Sequence, residues 1–228
     1  MRVAAIVPAY NEEHRIGAVL DALRQCSKLD DIVVVSDGST DRTYEVAASY
    51  PGVTAIRLPR NLGKGAALVA GVKCASADVV AFFDADLIGL TPNLAEALLQ
   101  PVLEGRADMS IGIFKGGRWR TDWAQSLAPF ISGQRAIYSK HVLSVPGLEQ
   151  ARFGAEIALG RYASQKGLVT VFVPLPGMTH PMKEEKLGRI HGTWARLKMY
   201  GEIIKFIIST SRSAVRIRQA LGRVDDGL

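Results

Sequence analysis

Cysteine is scarce in this 228-residue chain: Cys26 and Cys74 are the two present, both in helix-like stretches and without CxxC spacing. Neither a disulfide framework nor a thiolate zinc site can be built from them, and a reducing cytoplasm suits them best. Long apolar runs are missing too, since none approaches the ~20 residues that span a bilayer, and no membrane crossing is expected. The opening run Val3-Ala4-Ala5-Ile6-Val7 is short and followed by Pro8, unlike the apolar region and cleavage site of a signal peptide. Two nucleotide-binding signatures are also absent. No GxxxxGK[ST] occurs, which removes the P-loop reading, and no GxGxxG follows the first strand pattern, which removes the simplest dehydrogenase reading. Internal repeats and low-complexity linkers are lacking.

The composition that remains, 48% hydrophobic and 22% charged, is that of a folded domain and not of a disordered chain. Its length suits one sizeable α/β core and not two. The net charge of +6 is local: residues 189–223 hold eight Lys and Arg against Glu202 alone, a local +7 that leaves the rest at −1. A near-neutral body argues against a nucleic-acid-binding face. From Ile190 to Leu221, apolar Trp194, Leu197, Ile203, Ile204, Ile207, Ile208, Val215 and Ile217 interleave with these cations, predicting a basic amphipathic C-terminal helix over 190–221. Two readings of it stand open. It lies on an anionic membrane surface, making the protein peripheral on the cytoplasmic face, or it packs on its own domain or a second copy in a homodimer.

Short β-branched runs alternate with helical patterns along the first half: strand 3–8, helix 12–26, strand 32–36, helix 41–49, strand 53–57, helix 63–75, strand 79–83. This order predicts βαβ units in a mostly parallel sheet covered on both faces, because the strands are apolar throughout. Ligands of such a sheet bind at the carboxyl ends of its strands. A helix capped by Thr91 and begun by Pro92 follows, then a strand near 108–114, a Gly, Arg and Trp-rich loop, strand 134–138, helix 154–166, strand 168–173 and a polar loop 176–188. The predicted organisation is one catalytic domain over 1–188, with a donor half at 1–115 and an acceptor half at 116–188, and a basic extension over 189–228.

Polar residues collect where the strands end. Strand one runs into Pro8-Ala9-Tyr10-Asn11-Glu12-Glu13, strand two into Asp37-Gly38-Ser39-Thr40-Asp41, and strand four into Asp84-Ala85-Asp86. Any one such turn is explained by helix capping, and Asp41 is expected to cap the next helix. Three in register point to a ligand. Asp84 and Asp86, two apart on extended chain, project to one side and can present two carboxylates to one hard cation. A diphosphate needs that cation: Mg2+ or Mn2+ neutralises its charge as a nucleoside diphosphate leaves. Asn61-Leu62-Gly63-Lys64-Gly65 opens a helix, so its backbone N–H groups, its dipole and Lys64 are expected to face an anion.

Taken together, Val7-Pro8-Ala9-Tyr10-Asn11-Glu12-Glu13, Asp37-Gly38-Ser39-Thr40-Asp41, Asn61-x-Gly63-Lys64-Gly65 and Asp84-x-Asp86 resemble family 2 glycosyltransferases of the GT-A fold, in order and in spacing. The resemblance implies a nucleotide pocket lined by Pro8, Ala9, Tyr10 and Glu12, with Asp37 accepting a hydrogen bond from the base. It implies that Asp84 and Asp86 hold ribose and metal-diphosphate, Asp86 as the direct ligand, and that the donor is a UDP-sugar, with GDP as the alternative. An inverting transfer is implied as well. Ser132-Gly133-Gln134-Arg135-Ala136 and Phe153-Gly154-Ala155-Glu156-Ile157 look like acceptor-side segments of glucosyl-3-phosphoglycerate synthases and dolichyl-phosphate-sugar synthase relatives, so the acceptor is lipid-linked or a small molecule. Gly133, Gln134 and Arg135 are then expected to contact it, Arg135 through its planar fork or, equally, in a salt bridge within the domain. Glu156 either complements its helix dipole or acts as general base towards a hydroxyl. His180, in a polar Pro/Gly-rich loop, is expected as a third metal ligand beside Asp86 and Asp84, with a surface histidine as the alternative. The loop 181–188 is expected to close over the donor.

Two other functions compete with a glycosyltransferase: nucleotidyl transfer to a sugar phosphate, and a non-catalytic membrane-surface module that binds nucleotide. The first calls for a Gly-rich basic loop directly after strand one, where this chain has Pro8-Ala9-Tyr10-Asn11-Glu12.

Overall fold

The computed structural model describes residues 1–115, 132–152 and 154–180. Their elements in order are β1 (Val3–Ala9), α1 (Ile16–Arg24), β2 (Asp31–Ser36), α2 (Thr43–Ala48), β3 (Val53–Arg57), α3 (Lys64–Ala75), β4 (Val79–Phe82), α4 (Pro92–Leu103), β5 (Met109–Lys115), β6 (Arg135–Tyr138), α5 (Ser139–Leu143), a 3-10 turn (Leu148–Gln150), α6 (Ala155–Gln165) and β7 (Thr170–Pro176). The predicted C-terminal helix, the loop 181–188 and the Gly, Arg and Trp-rich loop lie outside the described residues. Among the described residues, no helix is long and apolar enough to cross a membrane.

The strands form one seven-stranded sheet in the order β3-β2-β1-β4-β6-β5-β7. β1 pairs in parallel with both β2 and β4, and β2 with β3. β6 runs antiparallel to its neighbours β4 and β5, while β5 and β7 are parallel. Successive side chains on a strand point to opposite faces, and β1 shows the result. Ala5 and Val7 join Ile16, Val19, Leu20 and Leu23 of α1 and Leu98, Leu99 and Val102 of α4 in one core. Ala4 and Ile6 join Leu68 and Val72 of α3 and Leu159 of α6 in the other. Burial on both faces explains why these strands read as unbroken apolar runs.

Two boundaries differ by more than two residues from those predicted, and one element is additional. α1 begins at Ile16 and not at residue 12: residues 13–15 form a turn, and the N–H groups of Glu12 and Glu13 donate to Thr43 Oγ1 (2.8 Å) and Asp41 Oδ2 (3.1 Å) across the β2 turn. β7 extends to Pro176, past the expected end at 173, because it is an edge strand, where the missing N–H groups of Pro174 and Pro176 cost little. α5 was not anticipated: five residues are too short for a periodic signal. The predicted cap on α4 is present, Thr91 accepting from the N–H of Leu94 at 3.3 Å with Pro92 as first residue. Asp41 accepts from the N–H of Thr43 at 3.0 Å, serving the start of α2 as expected.

β1 is flanked by β2 on one side and β4 on the other, so the strand order reverses beside it and a crevice opens at the carboxyl ends. Because β6 is reversed, its amino end arrives at that same edge, with Arg135 opposite Phe82.

Candidate active site

β4 ends at Phe82, and the chain runs through Phe83 and Asp84 into a turn at Ala85 and Asp86. Phe83, Ala85 and Leu87 are buried in the core, so the alternate residues Asp84 and Asp86 face away from it and into the crevice. The expected projection of both aspartates to one side is therefore observed. Their surroundings differ. The Lys64 ammonium lies 2.5 Å from Asp84 Oδ1 and also 2.5 Å from Glu156 Oε1, in the first turn of α6. Gln134 Nε2 donates to the other oxygen of Asp84 at 2.8 Å. Both oxygens of Asp84 are thus occupied by groups of the protein.

Burial alone would push Lys64 down, but Asp84 first and Glu156 second outweigh it and hold the ammonium above the ordinary lysine value. Burial likewise opposes ionisation of Asp84, and Lys64, then His180 and Gln134, overcome it and hold the carboxyl below the ordinary range. The backbone passes over this pair at Gly133, where a Cβ would stand 2.7 Å from Lys64 Nζ and closer still to Asp84 Oδ2. Only glycine leaves room for that approach.

Asp86 meets His180, whose Nδ1 stands 3.3 Å from Asp86 Oδ1 and whose Nε2 is 3.7 Å from Asp84 Oδ2. The expected trio is gathered, yet among the described residues no three His, Cys, Asp or Glu side chains form a ready-made metal site. The protein donors that fit a divalent cation are Asp86 and His180. Asp84, expected as a third ligand, is hydrogen-bonded to Lys64 and Gln134 and faces the same imidazole. A cation held by one carboxylate and one imidazole needs oxygens from its ligand to fill its shell, as is usual where Mg2+ is bound through substrate phosphates.

Other expected residues also make hydrogen bonds within the chain. Asp37, only 4% exposed, accepts from the N–H groups of Leu62 (2.7 Å) and Gly63 (2.8 Å), so its carboxylate ties the β2 turn to the start of α3. The next two N–H groups, of Lys64 and Gly65, donate to the carbonyls of Arg152 (3.2 Å) and Ala151 (3.0 Å). The start of α3 therefore offers no backbone cradle to a phosphate; the protein's own acceptors fill it, and Lys64 reaches the crevice by its side chain alone. Gln134 and Arg135 are 0% exposed. Arg135 is an internal cation, its guanidinium pushed down to about 10 by burial while Glu156 opposes the shift, and its Nε donates to the carbonyl of Ser132 at 3.1 Å.

At the far side of the crevice Tyr10 is exposed, Pro8 and Glu12 are half-buried and Ala9 is buried. Pro8 lies beyond the β1–β4 pairing, which ends at Ile6, so its absent N–H breaks no bond on that side. Glu12 turns towards Arg15, 3.7 Å away, at the entry to α1. Asn11 adopts φ +56°, and its Oδ1 accepts from Thr40 N–H (2.9 Å) while its own N–H donates to Ser39 Oγ (3.2 Å). The clasp made by Asn11, the Gln134 bond to Asp84 and the Arg152 contact with Asn61 Oδ1 (2.8 Å) were not visible as pairings in the sequence. Asn before a helix, an amino acid tolerant of positive φ, was the one available signal.

Two outcomes are expected. Asp37→Ala strips two buried N–H groups of their acceptor and should cost about 2–3 kcal/mol in urea unfolding; unchanged stability with lost ligand binding would mean the carboxylate serves a ligand. For the Lys64–Asp84 pair, the lowered Asp84 value means its stabilisation is present above the ordinary carboxyl value and lost as pH falls through the folded one. The raised Lys64 value means its share is full below the ordinary lysine value and lost as pH rises through the folded one. Lys64→Met should remove the acid limb due to Asp84 and cost roughly 3 kcal/mol at neutral pH, followed by urea unfolding between about pH 3 and 9. An unaltered acid limb would show that Lys64 does not anchor Asp84.

With that geometry in place, comparison with known proteins is informative. Residues 4–160 match the family model described as glycosyl transferase family 2. A dolichyl-phosphate beta-glucosyltransferase of Trichomonas vaginalis is 39% identical over 97 residues, 37% of this chain and 30% of that one. A glucosyl-3-phosphoglycerate synthase of Mycolicibacterium smegmatis is 32% identical over 110 residues, 44% of this chain and 36% of that one. The chain thus spans about a third of these curated relatives. The crystal structure of glucosyl-3-phosphoglycerate synthase from Mycobacterium tuberculosis with Mn2+, UDP and glucosyl-3-phosphoglycerate superposes with a TM-score of 0.70 at 26% identity, over 92% of this chain and 79% of that one. The same enzyme with Mg2+ and UDP gives 0.69 at 25%. The fold is the GT-A fold foreseen from the motifs, and the chain belongs to glycosyl transferase family 2.

Proposed function

We propose that the chain transfers a sugar from a nucleoside-diphosphate sugar, UDP-linked in preference to GDP-linked, to a lipid-linked or small phosphorylated or hydroxyl-bearing acceptor, with Mn2+ or Mg2+ bound. The observation that carries this reading is the meeting of Asp84, Asp86, Lys64, Glu156 and His180, from four separate segments, at the one edge where the strand order reverses. The preference for UDP is supported by the complexes of the mycobacterial synthase with UDP and Mn2+ or Mg2+.

Asp86 and His180 would hold the cation, which neutralises diphosphate charge as the sugar bond breaks. Asp84, fixed by Lys64 and Gln134, keeps its charge at neutral pH and orients the wall of the pocket facing the nucleotide. Lys64 supplies positive charge beside the departing diphosphate. Glu156 shares that ammonium beside the crevice, where it would accept the proton of an acceptor hydroxyl. A phosphate acceptor is already an anionic nucleophile and needs no such base. The segment after β1, bonded into the β2 turn, is not the Gly-rich loop a nucleotidyltransferase calls for.

Hydrolysis and binding of UDP- and GDP-sugars with and without Mn2+ test the reading. Turnover of one donor should require the metal and fall at least about 100-fold in Asp86→Ala, the order expected for loss of several kcal/mol of charge stabilisation. Donor binding unaffected by metal and by Asp86→Ala would overturn it. The anomeric configuration of the product, read by NMR, decides whether transfer inverts.

A further inference from the structure

His180 and Asp86 lie 94 residues apart, and they reach one another from strands that are not neighbours. β7, which leads to His180, sits at the edge of the sheet, with β6 and β5 between it and β4. At about 4.8 Å per strand, the chain after Pro176 must be carried back over roughly 14 Å to bring an imidazole to Asp86. Three contacts do this. Ile88 and Thr179 exchange both backbone hydrogen bonds, each 3.0 Å, stitching the segment after Asp86 to the segment before His180. Gly89, at φ +79°, packs directly on the carbonyl of Gly177, where an added Cβ would overlap that oxygen. Phe114 of β5, packed against the core, places its ring 5.1 Å from the His180 ring at an interplanar angle of 56°.

We propose that Phe114 and Gly89 are positioning residues that seat the His180 imidazole against Asp86 for a divalent cation. The inference rests on the metal site of the proposed function. Phe114 is suited to the task because β5 and β7 pair in register up to Lys115 and Pro176, so its ring is set by the strand that delivers His180. A tilted ring contact and a two-bond bridge constrain the imidazole from two directions. The bridge fixes the backbone that carries His180, and rotation of its ring away from Asp86 gives up the Phe114 contact. Outer groups that fix a metal-binding histidine typically change metal affinity by about 10–100-fold when removed.

The test follows the ring signals of His180 in carbon–proton correlation spectra of the full chain, assigned by their loss in His180→Ala, as Mn2+ is added. In the natural protein Mn2+ should broaden these signals at low concentration. Phe114→Leu and Gly89→Ala should each need about 10–100-fold more Mn2+ for the same broadening, and Phe114→Tyr should restore the original affinity. Gly177→Ala is the control for backbone strain: its φ is +76° but its Cβ would meet nothing within 4 Å, so it shares the strain of Gly89→Ala without the overlap and should bind Mn2+ nearly as the natural protein does. Natural affinity in both Phe114→Leu and Gly89→Ala would overturn the seat while leaving the metal reading intact. Failure of Mn2+ to broaden His180 in the natural protein would overturn the metal site, and the seat with it.

Discussion

An ammonium group inserted between two carboxylates at the floor of the crevice is the contact on which the rest of the site depends. Lys64, Asp84 and Glu156 come from a helix start, a strand end and a second helix start, and an ammonium taken out of water there requires carboxylates at its side. Three consequences follow from that requirement. The chain above the pair has to be glycine at position 133, α6 has to begin where Glu156 can reach inward, and Gln134 has to spend its amide on the second oxygen of Asp84. A core built around an ion triad is costly to desolvate, and the cost is offset by geometry that leaves no partner out of reach. What this arrangement secures is a fixed charge pattern at the place where a charged ligand is to be handled.

The scaffold around that floor is assembled from backbone groups that the fold might otherwise have left to a ligand. Asp37 closes on Leu62 and Gly63, the carbonyls of Ala151 and Arg152 close on α3, and Asn11 closes on Thr40. Each bond joins two turns that follow different strands, so the crevice wall is one hydrogen-bonded piece and not a row of independent loops. Side chains that line it are consequently held by backbone positions with little freedom, which favours precise placement of a ligand over adaptation to it.

The architecture of residues 1–115 was legible in the sequence because burial on both faces writes apolar runs into every strand and leaves polar residues at strand ends. The alternation of Phe83, Ala85 and Leu87 with Asp84 and Asp86 foretold which way the aspartates point. Pairings were another matter. Whether Asp37 faces a base or the N–H groups of residues 25 and 26 positions ahead depends on tertiary approach, and a conserved-looking motif carries the same letters for either use. The same is true of Arg135, whose complete burial no local pattern announces, and of the start of α3, whose apparent openness vanishes once residues 151 and 152 arrive from the other half of the chain. β7 carries Pro174 and Pro176, residues that normally end a strand, and only its place at the sheet edge excuses them.

The single reversed strand has a topological consequence. β5 delivers its last residue to the crevice edge, and β6 departs from that edge, so the connection between them begins and ends on the rim; the chain leaving β7 also departs from there. Such connections can change in length and chemistry without threading a sheet or disturbing a strand register. The strands thus form a fixed chassis, while the connections at the rim are the part of the fold that can be exchanged without disturbing it.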